Sequence, residues 1–102
     1  VTRKRPWFLY VLRCADGTLY TGITTDPARR LKQHNAGRGA SYTKARRPVE
    51  LAAAWHFDES ERGHMLKVER RFKKLRRAQK LAAIASGENW GGGVRVVVSE
   101  PE

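Results

Sequence analysis

Acidic side chains are scarce in this chain. Ten Asp and Glu stand against 21 Lys and Arg, leaving a formal net charge of +11. So large a positive excess points to a polyanion partner, and nucleic acid is the commonest one. Cysteine is nearly absent, and Cys14 alone excludes both an intrachain disulfide and a zinc ribbon. No apolar run reaches the length of a membrane span, so no membrane partner is expected. The basic opening, Val1 to Arg5, is followed by no apolar segment of signal-peptide length, and the cytoplasm is the expected compartment. The 102 residues suffice for one small core and not two.

What is present has a clear order. Residues 7–14 are aromatic and branched on both faces, the pattern of a central strand. Ala15-Asp16-Gly17 is a turn signal, and residues 18–24 alternate as a second strand. Asp26 and Pro27 read as N-cap and first residue of a helix that ends near Gly37. Residues 37–47 carry no period and are expected to be a loop. Over 49–57, Val49, Leu51, Ala53, Trp55 and Phe57 alternate onto one face of a third strand. Met65, Val68, Phe72 and Leu75 recur at helical spacing, and a further helical segment runs from about Arg77 to Ala85, stopping at Gly87. The expected organisation is a domain over 1–87 and a flexible tail over 88–102. Three glycines in that tail favour a loose connector, and disorder is favoured over an edge strand at 94–98.

Hairpin geometry carries the first functional argument. A three-residue loop is commonly a type I turn followed by a left-handed residue, usually Gly. With Ala15-Asp16-Gly17 as that loop, Cys14 faces Thr18, Leu12 faces Tyr20 and Tyr10 faces Gly22. Tyr10 and Tyr20 then share a face as diagonal neighbours roughly 7–8 Å apart, near enough for both hydroxyls to approach one phosphate. A two-residue turn would put them on opposite faces. Gly22 leaves open space beside the Tyr10 ring. On the first helix, Arg30 and His34 lie four apart and share a face. Arg suits bidentate binding of a phosphate. His34 could bond a phosphate or a tyrosine, or cap the helix end. Glu69 is the lone acid between Arg62 and Gly87, and it borders the apolar face marked by Met65 and Phe72.

Taken in order, these segments resemble the GIY-YIG endonuclease domain, in particular small single-domain bacterial proteins related to structure-specific nucleases. The residues that carry the resemblance are Phe8-Leu9-Tyr10, Tyr20-Thr21-Gly22, Arg30 to Asn35, Gly39 to Thr43, and Glu69, within about residues 7–85. It implies an α+β fold, a small three-stranded antiparallel sheet flanked by about three helices. It implies a metal-dependent DNA endonuclease acting on structured, branched or damaged DNA, including single-stranded segments, by water attack on a phosphodiester. Tyr10, Tyr20, Arg30 and His34 would be catalytic, with Tyr20 favoured as base and Tyr10 as the group orienting water. Glu69 would bind one Mg²⁺ or Mn²⁺, weakly without DNA, since one carboxylate completed by phosphate oxygens and waters is an ordinary magnesium shell. Arg38, Ser41, Tyr42, Thr43, Lys44, Arg46, Arg47, Lys73 and Lys74 are expected on the DNA backbone. Two departures stand out: Ile23 replaces a Lys found in one branch, and Leu81 occupies a place where many members carry Asn. The second keeps open a nucleic-acid-binding module that has lost catalysis.

Overall fold

A computed structural model describes residues 5–98 of the chain; the basic start at 1–4 and the last part of the expected tail, 99–102, lie outside the described residues. The chain runs β1 (Arg5–Arg13), β2 (Leu19–Thr24), α1 (Pro27–Asn35), α2 (Ser41–Lys44), β3 (Glu50–Ser60), α3 (Arg62–Lys73), α4 (Arg77–Ser86) and β4 (Val94–Val96). The strands form one antiparallel sheet in the order β2-β1-β3-β4. The fold is α+β, with four strands rather than three and four helices rather than about three.

The β1–β2 hairpin forms around a three-residue loop. The Cys14 amide donates to the Thr18 carbonyl at 2.8 Å, and Gly17 takes a φ of 83° that a side chain would resist. Tyr10 therefore pairs with Gly22, and Leu12 with Tyr20. The space beside the Tyr10 ring is not left open. The ring itself folds onto Gly22, where an added Cβ would lie 2.5 Å from the phenol oxygen.

The sheet is covered on both faces. Leu9, Val11, Ala53, Trp55 and Phe57 pack with Met65, Val68 and Phe72 of α3. Tyr10, Leu12, Cys14 and Ala54 pack with Leu31 of α1 and with Val49. β3 does not keep one face inward along its length. The register shifts between the pairs Val11–Ala53 and Leu12–Leu51, and this bulge sends Val49 and Leu51 to the α1 side. α1 starts as its sequence dictates: the Asp26 carboxylate accepts from the Arg29 amide at 3.1 Å, with Pro27 in the first turn.

Two segments depart from expectation. The stretch 37–47 contains a single helical turn, α2, too short to show a period. Residues 94–96, favoured as disordered, form β4 against Ala54 to His56. The glycines before it build a turn instead of a connector. Gly91 and Gly92 have positive φ, the Trp90 and Gly93 amides and carbonyls bond reciprocally, and Gly93 lies under the Phe57 ring. Trp90 packs edge-on to Phe72, and the Trp55 indole N–H donates to the Glu88 carbonyl at 2.9 Å.

Candidate active site

Tyr10 projects from the middle of β1 and is almost fully buried. Its hydroxyl lies 2.9 Å from Nε2 of His34, which comes from the last turn of α1. His34 is fully buried, and its Nδ1 lies 2.7 Å from Oγ1 of Thr43 on α2. Gly39 lets the loop pass against the imidazole, because a Cβ there would collide with the ring. Tyr20 of β2 is half-buried and meets His34 edge-on, with ring centroids 5.2 Å apart. The hairpin parity and the helical spacing thus bring Tyr10, Tyr20 and His34 together.

Arg30 sits one helical turn before His34 and is half-buried. Its guanidinium donates to Gln33 Oε1 at 2.9 Å and to the Gly39 carbonyl at 3.5 Å, which holds the fork while leaving donors free. Burial pushes the Tyr10 phenol up to about 12, although the neighbouring Arg30 works in the opposite direction. The charges of Tyr20 and Glu69 add to the upward shift. Burial lowers His34 to about 4, and the Arg30 charge adds to this, so the imidazole is neutral at physiological pH.

Glu69 lies on α3, which packs against β1 and the edge strand β2. Its carboxylate is only 20% exposed and has Lys73 3.6 Å away. Its charge is the smallest of the causes that raise Tyr10, and α3 itself packs on the Leu9 and Val11 face of the sheet, opposite the Tyr10 face. Among the described residues no group of three or more His, Cys, Asp and Glu surrounds a common point. A lone carboxylate such as Glu69 would fit a hard divalent cation only with phosphate oxygens and waters completing the shell.

The expected DNA-binding residues divide. Arg38, Ser41, Lys44 and Lys74 are exposed, and Tyr42 is 38% exposed. Thr43 is not available to DNA; it is fully buried against His34. Arg46 is partly exposed but engaged within the chain, bonding the Asp16 carboxylate at 3.1 Å and the Tyr42 carbonyl at 2.8 Å, with its guanidinium 3.8 Å over the Tyr42 ring. Arg47 closes the end of α1 by donating to the Lys44 and Asn35 carbonyls. Lys73 pairs with Glu69. Sequence reasoning missed Gln33 as the brace of Arg30 and Gly39 and Thr43 as the housing of His34. Only Gly39 carried a signal, as a glycine within the motif.

Residues 6–82 match the family described as the GIY-YIG catalytic domain. The chain is 46% identical over 86 residues to a UPF0213 protein of Streptococcus agalactiae, covering 84% of this chain and 96% of that one. It is 52% identical over 80 residues to a UPF0213 protein of Streptococcus pyogenes, covering 78% and 85%. Among solved structures, a solution NMR structure of an E. faecalis protein is similar with a TM-score of 0.50 at 39% identity, covering 84% of this chain and 90% of that one.

Proposed function

We propose that this chain, which belongs to the GIY-YIG catalytic domain family, is a divalent-metal-dependent endonuclease that hydrolyses phosphodiester bonds in structured or branched DNA. The observation that carries the reading is the meeting of Tyr10, Tyr20 and neutral His34, with Arg30 one helical turn before His34, on a protein of net charge +11.

The two phenols divide their work by access. Tyr10 is nearly inaccessible and bonded to His34, whereas Tyr20 is half-buried and faces outward from the same cluster. Tyr20 is thus the phenol that meets the attacking water, and it takes up the water's proton only as the phenolate. Tyr10 and His34 lie behind it as a hydrogen-bonded pair. Arg30, braced by Gln33, meets the non-bridging phosphate oxygens with its remaining N–H donors as charge grows on them. Glu69 is the residue that would hold the cation. A bound Mg²⁺ or Mn²⁺ supplies charge stabilisation at the phosphate and at the leaving oxygen. Water gives up its proton and adds to phosphorus, the bond to the 3′ oxygen breaks, that oxygen takes up a proton from solvent, and the products are a 5′-phosphate and a 3′-hydroxyl.

A catalytically silent DNA-binding module is the second reading, favoured by Leu81 where many members carry Asn. Incubation with flaps, forks, splayed arms and single strands plus Mg²⁺ or Mn²⁺ separates the two, with Glu69→Ala as control. Metal-dependent cleavage by the wild type and none by the variant supports the nuclease. Binding without cleavage under every condition supports the module. The compartment proposed is the cytoplasm; no helix among the described residues is long and apolar enough to cross a membrane.

A further inference from the structure

We propose that Thr43 is a positioning residue whose hydroxyl fixes His34 as the Nδ1–H tautomer, so that Nε2 can only accept the Tyr10 proton. Thr43 Oγ1 lies 3.0 Å from the Ala40 carbonyl oxygen. That distance suits a hydrogen bond, and a carbonyl has no hydrogen to give. The Thr43 hydroxyl therefore donates to Ala40, the short-range back-bond a helical Thr readily makes. A hydroxyl has one hydrogen, so toward His34 it can only accept. Nδ1, 2.7 Å from Oγ1, must carry the proton. Nε2 of the neutral ring is then a bare acceptor, and the contact with Tyr10 at 2.9 Å is a phenol donating to it.

The consequence reaches the site. All three groups are buried, so water cannot substitute for a lost partner without rearrangement. The Tyr10 hydrogen is committed to His34, and the lone pairs of its oxygen are left to face the Arg30 charge. With the other tautomer, Nε2–H would donate to Tyr10 and turn the phenol hydrogen toward Arg30, where a second donor is repelled. Thr43 touches neither substrate nor metal, and its role is exerted entirely through His34. Only the last step, from tautomer to cleavage, rests on the nuclease reading.

Two-bond ¹H–¹⁵N correlation spectra of the full chain report the tautomer of His34 without DNA or metal. Thr43→Val keeps the shape and removes the hydroxyl, and Thr43→Ser keeps the hydroxyl. The expected result is Nδ1–H in the wild type and in Thr43→Ser, and a shift toward Nε2–H in Thr43→Val. Cleavage should fall by about 10- to 100-fold in Thr43→Val, the range for losing a group that orients a functional imidazole. Thr43→Ser should cleave close to the wild-type rate. An Nε2–H tautomer in the wild type overturns the proposal, as does a folded Thr43→Val that keeps Nδ1–H. If Thr43→Val does not fold, the wild-type and Thr43→Ser spectra still decide. A wild type that shows Nδ1–H but cleaves nothing upholds the positioning role and overturns the nuclease reading.

Discussion

Tyr10 and His34 stand 24 residues apart in the chain, and the phenol hydroxyl of one meets Nε2 of the other at 2.9 Å. A β1 side chain and an α1 side chain are thereby locked across the sheet–helix interface. The bond joins two groups that burial drives toward their neutral forms, Tyr10 raised to about 12 and His34 lowered to about 4. Packing and charge state are consequently coupled.

That coupling gives the fold a pH signature. An unfolded His titrates near 6.5, whereas folded His34 titrates near 4. The unfolded chain binds more protons between those values, so the stabilisation from the buried neutral ring is complete above about 6.5. It declines as pH falls toward 4, by about 3 kcal/mol in all. Denaturant midpoints measured from pH 7 to pH 5, above most carboxylate titration, should fall. The fall should be shallower in His34→Gln, and equal slopes in the two proteins would remove His34 as the source.

Gly39 and Gly22 are required by neighbouring rings. An added Cβ would strike the His34 imidazole at Gly39 and the Tyr10 phenol at Gly22. Overpacking of this kind costs about 1–3 kcal/mol. Gly39→Ala and Gly22→Ala should each lower the thermal or denaturant midpoint and disturb the NMR signals of His34 and Tyr10 respectively. Gly63→Ala, where a Cβ meets nothing within 4 Å, serves as the control and should leave both rings in place.

The site was legible where local geometry fixes the answer. Loop length set the parity of Tyr10 and Tyr20, and the helix repeat set the shared face of Arg30 and His34. What was illegible depended on tertiary packing. The bulge in β3 that turns Val49 and Leu51 away from Ala53 leaves no mark in an alternating sequence. The glycines at 91–93 suggest looseness, yet they form the turn that lets β4 pair beside Trp55. Thr43 looks like a surface hydroxyl because one turn of helix is too short to show which side faces inward. The internal bonds of Arg46 and Arg47 were equally illegible, because nothing in a charge run reveals a carbonyl or carboxylate awaiting it.

Basic residues should accordingly fall into two classes. Lys44→Ala and Lys74→Ala remove exposed charges, so each should weaken DNA binding and lower the log–log salt slope by about one unit or less. Arg46→Ala removes the bond to Asp16 and the cover on Tyr42, so it should also lower stability. Salt-dependent affinity and denaturant midpoints measured on the same proteins check the division. An Arg46→Ala protein as stable as Lys44→Ala would erase it.

Arg30 should act on the transition state more than on binding. Its fork is held in place by Gln33 and Gly39 before substrate arrives. Removing one preorganised donor costs roughly 2.7–4 kcal/mol, about 10²–10³ in rate. Arg30→Lys keeps the charge and loses the planar fork, so it should also be slow. Single-turnover cleavage with saturating enzyme isolates this step. Normal cleavage by Arg30→Ala under those conditions would assign Arg30 to binding alone.

In the proposed nuclease, metal-dependent cleavage turns on the single carboxylate of Glu69 on α3. Glu69→Gln preserves the shape of the side chain on α3 and removes its charge. The direct measurement is single-turnover cleavage of a branched DNA by the wild type and Glu69→Gln across an Mg²⁺ titration, with DNA affinity measured in parallel. Mg²⁺-dependent cleavage by the wild type, its loss in Glu69→Gln and largely unchanged DNA binding are expected. Cleavage by Glu69→Gln at the wild-type rate and with the wild-type Mg²⁺ dependence would contradict the role of Glu69.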